Sequence, residues 1–266
     1  MTEYFFVATS LPSLRIGSAP EISFYDFNTL LYDNLLPGDY RQTKIFRCYY
    51  DILNIRSLWK GESVEPYGNL NQNELEEALL QREGFPSYVF DFLEQFRDEQ
   101  ERLQHFPELI AIYFRKELKD ANPFLKEYLD FERQLRLVFV GFRAKKLGRN
   151  PAKELQYEDP DEDIIAQILA QKDAPKYEPP EGFEELKALF EEHSEDPLAL
   201  NQALCEYRFS KIEEMKGTGV FSFRGILGYM VQLILAEKWM DLDQKKGTEI
   251  VNKILENITK FEGSHE

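Results

Sequence analysis

Apolar residues recur along most of this chain at spacings of three and four, the period of a helix buried on one side. Phe24, Phe27 and Leu31 form one such stripe, and Ser23 stands where an N-cap would be. Ile45, Phe46, Tyr49, Ile52 and Leu53 form a second, inside a long helix expected over about 39–59 and ended by Gly61. Shorter helices are expected near 73–81 and 87–100. Leu109, Ile110, Tyr113 and Phe114 mark another over 107–118, after which Asp120-Ala121-Asn122-Pro123 turns the chain. Pro123 suits a first helical position, so a second long helix is expected from there to about 147. Helices over 160–171 and 181–192 flank a proline-rich linker holding Pro175, Pro179 and Pro180. Asp196-Pro197 repeats the cap-and-proline signal for a helix to about 215, and Gly217-Thr218-Gly219 turns into a third long helix over about 221–242. A last helix is expected over 248–261. The segment 4–9, Tyr-Phe-Phe-Val-Ala-Thr, reads as a short extended lead-in.

The expected fold class is therefore all-α. A unit of shorter helix, tight turn and long helix recurs three times, in pseudo-repeats over about 20–104, 105–194 and 195–262. Residues 263–266 form a tail expected to be disordered. The long helices start roughly 80 to 100 residues apart, a longer period than common solenoid repeats. That spacing fits a single domain of three related modules about a pseudo-threefold axis.

Charge narrows the field. The 266 residues carry 48 acidic and 32 basic side chains, a formal net charge of −16. Such a field repels phosphate backbones and anionic lipid, which argues against nucleic acid as a partner. The mean hydropathy is −0.48. The most apolar stretch, 221–240, still contains Arg224, Gln232, Glu237 and Lys238, so no direct membrane insertion is expected. The first apolar run, 4–8, is too short for a secretory signal. Two cysteines, Cys48 and Cys205, make no disulfide framework and fit a reducing, cytoplasmic setting.

Three long-helix stripes contain charges where apolar residues are expected. Arg56 follows Ile52 and Leu53, Glu132 and Arg136 interrupt Leu129 and Leu135, and Glu237 follows Leu233 and Ile234. A charge on a buried face is costly unless paired. Glu132 and Arg136 are spaced to pair along one helix. Arg56, Arg136 and Glu237 are the candidate protein-interface residues, with intramolecular pairing as the competing reading. Catalytic signals are missing: there is no Gly-x-Ser-x-Gly elbow, phosphate loop, dinucleotide fingerprint, His-Glu-x-x-His or Cys-x-x-Cys. The acidic run 158–163 lacks the calcium-loop pattern and reads as a charged helix start. Glu101 and His105, four apart, supply two of the ligands a metal site would need. No cofactor is expected.

Two stretches resemble known families. Tyr4-Phe5-Phe6-Val7-Ala8-Thr9-Ser10-Leu11-Pro12-Ser13-Leu14, followed by Glu21-Ile22-Ser23-Phe24, is similar to the start of a bacterial protein family encoded beside the genes of V-type ATPases. Asp51-Ile52-Leu53-Asn54-Ile55-Arg56 resembles the Asp-x-x-Asn-hydrophobic-basic stretch of the C subunit of the V/A-type ATPase, the relative of the eukaryotic d subunit. The resemblance implies three helical modules forming a funnel, a socket that seats the central shaft on the membrane rotor ring. It implies no catalytic residues and no cofactor. Partners would be the shaft subunits and the rotor ring, and the location cytoplasmic, peripheral to the inner membrane through those subunits. Two alternatives stand beside it: a helical assembly or adaptor factor acting transiently on the same ATPase, and a helical enzyme with a carboxylate–histidine metal site around Glu101 and His105.

Overall fold

The computed structural model describes residues 4–174 and 176–262, with the backbone alone from 244 onward. Twelve α-helices and no β-strand are found among these residues. The fold is all-α. The expected tail, 263–266, and Pro175 of the linker lie outside the described residues.

Each long helix follows a shorter one across a tight turn, as the spacing predicts. Helix α2 (Phe24–Asn34) leads to α3 (Pro37–Trp59), α6 (Glu99–Asp120) to α7 (Pro123–Lys146), and α11 (Pro197–Lys216) to α12 (Phe223–Glu262). Local chemistry sets these boundaries. Pro37, Pro123 and Pro197 open their helices, where a missing N–H removes no bond. Asn122 Oδ1 accepts from the Leu125 N–H at 3.1 Å, and Asp196 Oδ1 from the Leu198 and Ala199 N–H groups at 3.0 Å. Ser23 caps α2 as expected, its hydroxyl accepting from the Asp26 N–H at 3.1 Å.

The chain clusters into two compact units, Met1–Phe27 with Ala188–Glu266, and Asn28–Lys187. In the first unit, α11 packs along α12, and both bury apolar residues, among them Leu204 and Ile212 on α11 and Ile226, Met230 and Ile234 on α12. Close approach is built in. A Cβ at Gly225 would lie 2.7 Å from the Gly219 carbonyl oxygen, and one at Gly228 2.8 Å from Lys216 Cβ. Buried Gln232 is satisfied on both sides: its Nε2 donates to Phe209 O and Glu213 Oε2, and its Oε1 accepts from Lys216 Nζ at 3.0 Å.

The expected extended lead-in is a helix instead. Residues Phe5–Ser10 form α1, which buries Val7 and contacts α12. The Tyr4 N–H donates to the Phe221 carbonyl at 2.8 Å, and the Thr9 and Ser10 hydroxyls donate to carbonyls one turn back. Docking on α12 overrides the β preference of a Phe-Phe-Val sequence.

The second unit holds α3, α4 (Gln72–Gln81), α5 (Ser87–Gln95), α6, α7, α8 (Pro151–Glu154) and α9 (Asp163–Ala170), and α10 (Glu185–His193) straddles its end. Helix α6 packs on α3, α5 and α7 around an aromatic core. Phe46 meets Tyr50 and Tyr128 at 5.6 and 5.5 Å between ring centroids, and Tyr49 meets Tyr113 at 5.5 Å. Gln42 of α3 holds the α6–α7 turn by its ends: its Oε1 accepts from the Asn122 N–H at 2.7 Å, and its Nε2 donates to Asp120 O at 3.3 Å.

Candidate functional site

Helix α3 carries a polar ladder on a buried face. Arg47, Asp51 and Asn54 are spaced four and three apart and are 8%, 2% and 1% exposed. Most of their partners lie in the loop between α3 and α4. Asn54 grips one residue by both backbone groups: its Oδ1 accepts from the Glu65 N–H at 2.8 Å and its Nδ2 donates to Glu65 O at 2.9 Å. Asp51 accepts from the Leu70 N–H at 3.1 Å and from Asn69 Nδ2 at 2.7 Å. Arg47 donates to Tyr67 O, to Gly68 O and, at 2.7 Å, to Asn28 Oδ1. Burial lowers the affinity of Arg47 for its proton and raises that of Asp51, whose hydrogen bonds offset part of the effect. The Asp-x-x-Asn portion of the sequence motif is thus spent inside the fold, as a loop clamp.

Arg56, the last member of that motif, is exposed. Its guanidinium carbon stands 5.5 Å from the ring centroid of Phe106 on α6. The ring of Trp59, one turn along α3, meets Phe106 edge-on at 6.3 Å, and Arg102 of α6 lies 5.8 Å from the Trp59 ring. Arg102 is pinned: Nε donates to Phe96 O at 2.7 Å and Nη2 to Leu93 O at 3.3 Å, satisfying carbonyls at the end of α5. His105 stacks on Phe96 at 4.3 Å, and its Nδ1 meets the Tyr157 hydroxyl. Cations and rings therefore alternate across the α3–α6 junction.

The other two candidates have partners within the protein. Arg136 Nη2 meets Glu158 Oε1 at 2.8 Å. Glu158, its side chain only 5% exposed, also binds Arg133 at 2.8 Å, and Arg133 reaches Glu162 at 2.6 Å. The acidic run 158–163 is thereby folded onto α7. Glu237 Oε1 accepts from the Phe24 N–H at 2.8 Å and so satisfies an orphan donor at the start of α2. For Arg136 and Glu237 the structure provides the intramolecular partners of the competing reading. For Arg56 it provides a ring.

A cleft of about 340 Å³ opens beside α7, where Gly141 leaves room for the Tyr177 ring. A larger one of about 640 Å³ is lined by Lys44, Arg47, Cys48, Asp51 and Glu117 among others. There the Tyr88 hydroxyl donates to Glu117 Oε1 at 2.8 Å and lies 4.0 Å from Cys48 Sγ. Burial pushes the Cys48 thiol and the Glu117 carboxyl up, so the thiol stays protonated and a poor nucleophile. Glu101 and His105 are not joined by a third ligand: among the described residues no group of three or more His, Cys, Asp or Glu side chains could hold a metal ion.

The sequence pattern singles out Arg56 but not the residues around it. Arg56–Trp59 and Arg102–Phe106 are visible as three- and four-residue spacings, whereas the pairing of α3 with α6 is not. Arg47 is equally hidden, although its four-residue spacing from Asp51 is a signal.

The fold and these sites define an all-helical protein in which several charged groups serve internal clamps, with a cation–aromatic cluster at the α3–α6 junction. The chain belongs to the family described as "Protein of unknown function (DUF2764)", matched over residues 1–261. It is 31% identical over 260 residues to an uncharacterized protein of Chlamydia pneumoniae, covering 96% of this chain and 98% of the relative. Uncharacterized proteins of Chlamydia muridarum and Chlamydia trachomatis serovar D are each 30% identical over 264 residues, covering 97% of this chain and 99% of each relative. No solved structure matches the chain.

Proposed function

We propose that this chain is a non-catalytic component of the central stalk of a V-type ATPase, resembling the C subunit and coupling the shaft to the membrane rotor ring. It acts by binding other subunits and reaches the inner membrane only through them. No helix among the described residues is long and apolar enough to cross a membrane. The observation that carries the reading is the recurrence of one structural unit: α2–α3, α6–α7 and α11–α12 each join a shorter helix to a long one across a tight turn. That is the element order of the socket plan, in which three modules about a common axis receive the shaft. The Asp51-x-x-Asn54-x-Arg56 stretch adds support, because two of its members brace the helix and the third is presented outward.

Affinity capture of the tagged full-length chain from native membranes, in mild detergent and low salt, tests this. The expected result is recovery of shaft and rotor-ring subunits. Recovery of neither contradicts the proposal. Recovery from assembly intermediates alone, with none from the mature enzyme, replaces it with the transient adaptor.

A further inference from the structure

We infer that the patch formed by Arg56, Trp59, Arg102 and Phe106 is a docking surface for an acidic segment of a partner protein. The inference rests on the reading above that the chain works by binding other proteins, and it names the chemistry of one contact. In a chain with 48 acidic and 32 basic residues, an arginine has many potential carboxylate partners. Yet among the described residues Arg56 has no ion pair; its contact is with the Phe106 ring, at 5.5 Å. Arg102 likewise meets carbonyls and the Trp59 ring rather than a carboxylate.

A guanidinium laid on a ring keeps its N–H edges available, and that planar fork matches a carboxylate. The rings are themselves braced. Phe106 is buried, Trp59 packs edge-on against it, and Arg102 is tied to the end of α5. A patch already ordered in the free protein loses little entropy on binding, and tryptophan and arginine are the residues enriched at energetic centres of interfaces. Charge decides among anionic partners. The net charge of −16 repels the dense charge of nucleic acid or anionic lipid far more than the few charges of a short acidic segment on a neutral or basic protein.

The test uses the full-length chain and a fluorescein-labelled oligoglutamate peptide, with oligoglutamine as control, read by anisotropy. Saturable binding of oligoglutamate is expected, weakened about tenfold by Arg56→Gln, a loss of about 1.4 kcal/mol. The Arg56 side chain is exposed and makes no hydrogen bond among the described residues, so an unchanged thermal melt will show that the variant folds. Equal binding by wild type and variant, or equal binding of oligoglutamine, overturns the inference. So does Arg56-dependent binding of phosphatidylglycerol vesicles or an oligonucleotide without binding of the peptide. The two readings separate cleanly. If wild type and Arg56→Gln capture ATPase subunits equally, the patch is not the contact while the stalk reading stands. If the wild type captures none but oligoglutamate binding needs Arg56, the patch stands and the stalk reading falls.

Discussion

Gly68 passes directly beneath the carboxylate of Asp51. A Cβ at Gly68 would fall far inside van der Waals contact with Asp51 Oδ1 and 3.3 Å from Asn54 Nδ2. The loop between α3 and α4 can be clamped only because this residue has no side chain. Gly68→Ala should destabilise the protein by about 1–3 kcal/mol, the usual cost of overpacking. A chemical denaturation midpoint shifted downward with unchanged slope is the expected reading; an unchanged midpoint would show that the loop moves freely off α3.

Asn54 supplies both halves of a backbone pairing with Glu65. Asn54→Ala leaves the buried ends of that pairing without partners and should cost about 2 kcal/mol. The loss should be local as well as global: limited proteolysis should cut within 61–71 faster than in the wild type, while cleavage elsewhere follows global stability. Equal cutting at that loop would mean that Asn54 does not hold it.

Much of this architecture is written in the sequence, and the omissions have physical causes. Asn122-Pro123 and Asp196-Pro197 mark the starts of α7 and α11 because caps and prolines act locally, whereas α3 opens at Pro37, two residues before its expected start, because a Pro-Gly pair resembles a turn. The start of α6 is misread for the same reason. Pro107 has the look of a first helical residue, but it sits inside a helix that opens at Glu99, with Asp98 capping the Glu101 N–H at 2.8 Å. Gly247 has the look of a break, yet the α12 backbone continues through it to Glu262. The clamp is legible only as an oddity. Nothing local to Arg47, Asp51 or Asn54 says that residues 65–70 will fold back onto them, and nothing local to Arg56 says that Phe106 will lie beneath it.

Arg133, Arg136 and Glu158 form a triad that ties the acidic run to α7. Glu158→Gln keeps the shape and removes the charge shared by two arginines, at an expected cost of about 2–3 kcal/mol. Comparison with Arg136→Gln and the double variant measures the coupling. Strict additivity would mean that Arg136 and Glu158 are neighbours without interaction.

Glu117 gives the protein a defined pH response. Burial raises its pKa above the ordinary value of 4.5, with the Tyr88 hydroxyl opposing the shift. The native state therefore holds a proton that the unfolded chain has released in the window just above pH 4.5, and stability falls as pH rises through it. Glu117→Gln lacks this dependence. Relative to wild type, the variant should gain stability as pH rises from 4.5 toward neutrality in parallel urea titrations. A constant difference across that range would show that Glu117 titrates normally.

Glu237→Ala removes the acceptor for the Phe24 N–H. A loss of about 1 kcal/mol is expected, typical of a helix cap, with faster amide exchange at the first turn of α2. Glu237→Gln should restore most of it, since an amide oxygen also accepts. Wild-type exchange at Phe24 in the alanine variant would place the cap elsewhere.

The central claim is membership of a rotary machine, and the most direct measurement is subunit composition. Purified mature V-type ATPase, resolved on a density gradient and quantified by mass spectrometry, should contain this chain in a fixed ratio to the shaft subunits in every active fraction. A fully assembled, active enzyme that lacks the chain would contradict the account.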